Sequence, residues 1–175
     1  MTIGTVLVVE DDAAIRRGIV DSLRFAGYGV LEAGDGAAGL SVALSATPDL
    51  VLLDVLMPGM SGIDVLEKIR AVAPSAAVVL LTGSESEEDM VASIKGGARG
   101  YILKDMPFDQ LVTSIDNISG GGATISPGMA GKLFDVTRQL LRHQELVGAR
   151  KPTLTGREIE VLELVADGKT SREIG

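Results

Sequence analysis

Residues 50–62 read LVLLDVLMPGMSG: four consecutive aliphatic residues, then Asp54, then a turn at Met57-Pro58-Gly59. An uninterrupted Val/Leu run, without polar alternation, is typical of a strand in a parallel sheet covered on both faces. Asp54 therefore stands at the carboxyl end of a buried strand. In open α/β sheets, ligands bind at this edge, so Asp54 is a candidate functional residue.

The same pattern recurs from Thr5 to about Gly120. The apolar runs TVLVVE, GVLEA, LVLLD, AAVVLLT and YILK are each followed by a helix-like segment. Five strands alternating with five helices predict an α/β domain with a doubly wound, five-stranded parallel sheet.

The composition is that of a globular protein, with 46% hydrophobic and 23% charged residues among 175. Cysteine is absent, which excludes disulfides and thiolate metal sites. No basic region precedes the first apolar run, and no apolar run reaches the ~20 residues of a membrane helix. We expect a cytoplasmic protein without a membrane partner. The net charge of −8 and the lack of a basic segment argue against a nucleic-acid-binding patch in this chain.

Five chemically active side chains follow the predicted strands: Glu10 and Asp11 after the first, Asp54 after the third, Thr82 after the fourth and Lys104 after the fifth. Neighbouring carboxylates repel by ~4 kcal/mol per pair at an effective dielectric of 20, so the cluster needs a cation. Oxygen donors without His or Cys select a hard ion, and Mg²⁺ is the expected metal. No organic cofactor is expected.

These residue types suit phosphoryl transfer onto a carboxylate, which depends mainly on positioning and charge neutralisation. Asp54 is predicted to be the phosphoacceptor. Asp11 would bind Mg²⁺ directly and Glu10 through a water molecule. Lys104 would neutralise a phosphoryl oxygen, and Thr82 would donate its hydroxyl to another. The alternative is a surface carboxylate cluster with a lysine counter-ion.

The chain resembles response-regulator receiver domains of two-component systems in four motifs: VLVVEDD (6–12), LVLLDVLMPGMSG (50–62), VVLLTG (78–83) and GYILKD (100–105). The resemblance implies a flavodoxin-like fold and a sensor histidine kinase, or a small phosphodonor, acting on Asp54. It also implies that the Leu56 backbone carbonyl is a metal ligand, and that Tyr101 moves inward when Thr82 is drawn to the phosphoryl group. The protein would not be an enzyme beyond promoting its own phosphorylation and slow dephosphorylation.

Two departures from the receiver pattern are Gly83, where alanine is frequent, and Lys104-Asp105-Met106-Pro107, where many relatives have Lys-Pro. The Lys-Asp-Met form resembles the subgroup with LuxR-type helix-turn-helix domains. Asp12, one place beyond the acidic pair, is expected to open the first helix.

Beyond the receiver (1–120), the Gly-rich stretch SGGGATISPG predicts a boundary near Gly120. We divide the rest into a linker (121–152), Gly-rich and then helical, and the start of a helix-turn-helix domain (153–175). Apolar residues from Met129 to Val147 recur at spacings of three and four, as on one face of a helix. This face would pack against a neighbouring domain or, alternatively, form a homodimer.

Residues 154–175, LTGREIEVLELVADGKTSREIG, resemble the opening of a LuxR/NarL-type DNA-binding domain, and Thr155 begins a capping box. The recognition helix would lie past Gly175. We therefore expect sequence-specific DNA binding from the full-length output domain and not from residues 1–175. The alternative is a stand-alone, phosphorylation-dependent protein-interaction switch.

Three other functions account for fewer of these residues. Residues 34–39, GDGAAG, fit a dinucleotide-binding fingerprint, but they follow the second strand and leave Glu10, Thr82 and Lys104 unexplained. A phosphatase with an aspartate nucleophile would need an acid/base aspartate at position 56, which is leucine. An interaction module that had lost the chemistry would be expected to lack Asp54 or Lys104.

Overall fold

The computed structural model describes residues 4–148. The predicted helix-turn-helix segment at 153–175 lies outside the described residues. Contacts divide the chain into two compact units, with the division between Lys132 and Leu133.

The predicted alternation of strands and helices is confirmed. The first five strands are β1 (Thr5–Val9), β2 (Gly29–Ala33), β3 (Leu50–Asp54), β4 (Ala77–Thr82) and β5 (Gly100–Leu103). The helices that follow them are α1 (Ala13–Phe25), α2 (Gly36–Ala46), α3 (Gly62–Val72), α4 (Glu87–Lys95) and α5 (Phe108–Ser119). Two further elements are β6 (Thr124–Ile125) and α6 (Pro127–Gly148).

All strands of the sheet are parallel, in the order β2-β1-β3-β4-β5-β6. The prediction of five strands was short by one. Gly121 adopts a left-handed φ of 93°, which a glycine tolerates without strain, and the chain turns there. Thr124 and Ile125 then pair with β5. Sequence periodicity cannot detect a strand of two residues after a glycine run.

Helices cover both faces of the sheet. On one face, α1 packs beside α5, and their apolar residues form a core with alternate strand residues such as Val8, Leu52 and Ile102. On the other side, α2 packs beside α3 and α3 beside α4. The central strand β3 is buried along its whole length. This double coverage explains why the strands are apolar without alternation.

Side-chain caps fix where four of the helices begin. The cap residues, each accepting a hydrogen bond from a backbone N–H of the first turn, are Asp12, Asp35, Ser61 and Ser86. Asp12 accepts from the N–H groups of Ala14 and Ile15, so the prediction that it opens α1 is confirmed. Among the described helices, none has both the length and the apolar composition needed to cross a bilayer.

Candidate functional site

The register of β1 against β3 brings the acidic residues together. Val9 lies opposite Leu53, so the next residues, Glu10 after β1 and Asp54 at the end of β3, lie side by side at this edge of the sheet. The chain order reverses at this point, since β2 lies on one side of β1 and β3 on the other. Ligands bind doubly wound sheets at such a crevice.

Three carboxylates meet there. Glu10, Asp11 and Asp54 each offer an oxygen, and these oxygens lie within 4.8 Å of one another. Glu10 and Asp54 are fully buried, whereas Asp11 is exposed. Two buried carboxylates so close together are unfavourable without a compensating cation. A set of oxygen donors with one solvent-facing member fits a hard divalent ion that retains water ligands.

Lys104 supplies one compensating charge. Its Nζ lies 2.8 Å from Oδ2 of Asp54 and 2.8 Å from Oε2 of Glu10. The contact of Nζ with Oε1 of Glu10, at 3.0 Å, has hydrogen-bond geometry, whereas the two contacts at 2.8 Å are ion pairs outside that geometry. Lys104 thus lies between the two buried carboxylates.

The pKa values of Glu10 and Lys104 are shifted by burial and by neighbouring charges. Burial raises the pKa of Glu10, and the neighbouring Asp54 adds to the rise, while Lys104 opposes it. Burial would lower the pKa of Lys104, but its contacts with Asp54 and Glu10 outweigh this and raise the pKa. Lys104 is therefore a permanent cation at neutral pH.

The Asp54 carboxylate is held from the backbone side. Its Oδ1 accepts a hydrogen bond from the Leu56 N–H at 3.1 Å. The Gly62 N–H donates to the Val55 carbonyl at 2.9 Å, which closes the turn between β3 and α3. The Leu56 side chain is largely exposed. Because a leucine side chain has no donor atom, a role for Leu56 in a metal site would have to come from its backbone carbonyl.

Thr82 and Tyr101 lie on neighbouring strands. Thr82 is buried, and its hydroxyl donates to the Ser84 carbonyl at 3.0 Å and accepts from the Ser84 N–H at 3.2 Å. Burial raises the pKa of Tyr101; the nearby Thr82 hydroxyl opposes the rise, and Asp89 adds to it. Among the described residues, the Tyr101 hydroxyl has no partner with hydrogen-bond geometry. The Tyr101 ring is only 3% exposed, so it already lies inside.

The sequence of residues 6–116 matches the family model of the response regulator receiver domain. The chain belongs to this family. The nitrate/nitrite response regulator protein NarL of Escherichia coli K12 is 35% identical over 97% of this chain and 78% of its own length. The probable transcriptional regulatory protein TcrX of Mycobacterium tuberculosis is 31% identical over 92% of this chain and 70% of its own length.

Solved response-regulator structures agree with the receiver assignment. A LuxR-family two-component response regulator from Aurantimonas superposes with a TM-score of 0.72 at 27% identity, covering 78% of this chain and 99% of that one. A CheY-like receiver from Methanospirillum hungatei gives 0.66 at 31% identity, covering 69% and 96%. The chain therefore has a receiver domain of the NarL/LuxR type of response regulator, whose members control a DNA-binding transcription output.

Two residues, Arg16 and Ser84, form hydrogen bonds with residues of the receiver site and were not identified from the sequence. Arg16 Nη1 donates to the Glu10 carbonyl at 2.6 Å, so a basic residue of α1 braces the acidic loop. The position of Arg16, one turn after the Asp12 cap, could have predicted this contact, because a side chain there points back toward the start of the helix. Ser84, the partner of the Thr82 hydroxyl, gave no such signal because its contacts come from its backbone.

Two of the three glycines in residues 34–39 have packing roles in the receiver. A Cβ at Gly36 would lie 2.7 Å from the Val65 side chain, and one at Gly39 would lie 2.8 Å from that of Val9. Asp35 caps α2. The motif therefore permits close packing of α2 against β1 and α3, which accounts for Gly36 and Gly39 without a dinucleotide.

Proposed function

We propose that Asp54 accepts a phosphoryl group from a sensor histidine kinase or a small phosphodonor, and that the receiver then changes conformation to control a transcriptional output. The observation that carries this proposal is the position of the buried Asp54 carboxylate, 2.8 Å from the Lys104 ammonium and beside two more carboxylates. In the reaction, the bond from phosphorus to the donor's leaving group breaks as a bond from phosphorus to an Asp54 oxygen forms.

Mg²⁺ is the proposed metal, and it would neutralise phosphoryl oxygens as charge moves from donor to acceptor. Asp11, Asp54 and the Leu56 carbonyl would bind it directly, and Glu10 would act through a water molecule. Lys104 already contacts both Glu10 and Asp54, so a small rotation of its side chain would let it pair with a phosphoryl oxygen.

Thr82 is the proposed sensor of the phosphoryl group. Its hydroxyl would leave Ser84 and donate to a phosphoryl oxygen, since an anionic acceptor forms the stronger hydrogen bond. Tyr101 is already inside in this conformer, so we propose that its ring keeps this position as Thr82 moves. The chain itself would only promote its own phosphorylation and slow dephosphorylation.

We also propose three segments: a receiver (1–120), a linker (121–152) and the start of a helix-turn-helix domain (153–175). A cytoplasmic location and a homodimer are parts of the same proposal. DNA would be bound through the output domain. The support for this output is the similarity to NarL and TcrX across more than nine-tenths of the chain.

Intact-mass measurement after incubation with acetyl phosphate and Mg²⁺ tests the phosphoacceptor. The wild-type chain should gain one phosphoryl group, and Asp54→Asn should gain none. Asp105→Asn is the matched control, because Asp105 is an exposed aspartate next to Lys104 in sequence and should leave the modification intact. An unmodified wild-type protein, or a modified Asp54→Asn, would refute the proposal.

A further inference from the structure

The segment that leads from β6 into α6 is attached to the receiver at Tyr101. Ile125 pairs with Tyr101 in the sheet, and the Ser126 N–H donates to the Tyr101 carbonyl at 3.3 Å. Met129, in the first turn of α6, is fully buried. The start of α6 is therefore packed onto the receiver.

A second attachment joins α6 to the loop between β4 and α4. Lys132 Nζ lies 2.6 Å from the Glu85 carbonyl oxygen and 3.1 Å from Oε2 of the Glu85 side chain. The Glu85 carboxylate also lies against Gly128, where a Cβ would overlap it. We call the contacts between Glu85 and Lys132 the Glu85–Lys132 pair.

The same loop is held by Thr82. Ser84 exchanges two hydrogen bonds with the Thr82 hydroxyl, one through its carbonyl and one through its N–H. Ser84 is directly bonded to Glu85, whose carbonyl receives Lys132. Loss of the Thr82 contacts would therefore free the backbone on which the Glu85–Lys132 pair depends.

We propose that the Glu85–Lys132 pair is a phosphorylation-sensitive contact that holds the start of α6 on the receiver. This inference rests on the proposed function at Asp54. Without a phosphoryl group, Thr82 fixes Ser84 and the pair is closed. When the Thr82 hydroxyl turns to a phosphoryl oxygen, Ser84 loses two hydrogen bonds, the pair opens, and residues 126–132 loosen.

The exposure of the pair suits it to such a role. The Lys132 and Glu85 side chains are 35% and 42% exposed, so water screens their attraction and replaces it readily when it is lost. Loss of an exposed ion pair changes a local opening equilibrium by about two- to fivefold. A modest movement of the loop that carries Glu85 is therefore enough to open the pair. The buried Met129 would keep the start of α6 from detaching altogether.

Hydrogen exchange of the amides in residues 126–132 tests the proposal. Useful probes are Met129 and Ala130, whose N–H groups both donate to the Ser126 carbonyl. Lys132→Met and Glu85→Gln should each speed exchange by about two- to fivefold without phosphorylation. Arg138→Met is the control, because Arg138 pairs with Asp135 of the same helix and its loss should leave these amides unchanged.

Two further arms test the link to the phosphoryl group. Thr82→Val, which removes the hydroxyl, should speed exchange at residues 126–132 without any phosphodonor. Wild type treated with acetyl phosphate and Mg²⁺ should show the same increase, and Lys132→Met should gain little more.

A wild-type protein that carries the phosphoryl group by intact mass, yet exchanges these amides at its original rate, would overturn the role of the pair and leave the function of Asp54 standing. Unchanged exchange in Lys132→Met or Thr82→Val would overturn the pair's role as well. Failure of Asp54 to be modified would overturn both proposals.

Discussion

Gly62, at the start of α3, lies directly behind the backbone of Asp54. A Cβ on Gly62 would overlap the Asp54 carbonyl oxygen and lie 2.8 Å from the Val55 Cα. Since both obstacles are backbone atoms, rotation of a side chain cannot relieve the overlap. The position of the phosphoacceptor proposed here thus depends on a residue without a side chain, eight places along the chain.

We expect Gly62→Ala to lower the free energy of unfolding by about 1–3 kcal/mol, because the extra methyl group must push β3 and α3 apart. It should also slow modification of Asp54 by acetyl phosphate. Urea unfolding and intact mass measure the two effects. Gly131→Ala is the control: its Cβ would meet no atom within 4 Å, and alanine in a helix should be neutral or slightly stabilising. Equal stability of the two variants would contradict the packing argument.

Lys104→Met should destabilise the metal-free protein by about 2–4 kcal/mol, because it leaves Glu10 and Asp54 buried without their shared cation. Mg²⁺ should then raise the melting temperature of the variant more than that of wild type, since the added ion would be the remaining source of neutralising charge. Thermal unfolding with EDTA and with Mg²⁺ checks this. Lys95→Met, at an exposed position of α4, should respond to Mg²⁺ as wild type does; a smaller Mg²⁺ effect in Lys104→Met than in wild type would refute the prediction.

Asp12 should make the free energy of unfolding depend on pH in the acidic range. Hydrogen bonds from the N–H groups of Ile15 and Ala14 lower the pKa of Asp12 below its ordinary 3.8. The folded state therefore favours the ionised carboxylate, so its contribution is complete above pH 3.8 and is lost as the pH falls through the lower folded value. Asp12→Asn should be less stable than wild type above that pH, and the difference should shrink below it.

Urea midpoints measured in EDTA at several pH values between 3 and 6 provide the comparison for Asp12. Ser86→Ala, which removes a helix cap whose side chain does not ionise in this range, should lower the stability by a similar amount at every pH. A difference for Asp12→Asn that stays constant across the range would show that the charge of the cap is unimportant.

Removal of the hydroxyl should change the free energy of unfolding in opposite directions at Thr82 and at Tyr101. Thr82→Val removes both hydrogen bonds between the buried Thr82 hydroxyl and the backbone of the exposed Ser84, and should cost about 1–2 kcal/mol of unfolding free energy. Tyr101→Phe removes a buried hydroxyl that has no hydrogen-bonded partner among the described residues, so it should be neutral or stabilising by up to about 1 kcal/mol. Urea unfolding at neutral pH tests both. A large loss in Tyr101→Phe would reveal a hydrogen bond to the hydroxyl.

The parallel sheet could be predicted from the sequence because strands buried on both faces require uninterrupted aliphatic runs, such as LVLL before Asp54. The sequence also predicted which residues share the carboxyl edge, since parallel strands bring their ends together. It could not predict that Lys104 lies between Glu10 and Asp54, because this depends on side-chain rotamers. Nor could it predict the Glu85–Lys132 pair, which joins two surface residues 47 positions apart.

The two-residue strand β6 also protects the sheet. It supplies hydrogen-bonding partners to β5 at Gly100 and Tyr101, on the side opposite β4. A receiver fragment ended at Gly120 would expose these backbone groups as an unpaired sheet edge, next to apolar residues such as Ile102. Exposed edges of this kind recruit strands from other molecules and promote aggregation. A soluble receiver fragment should therefore extend through Ile125 and the first turn of α6.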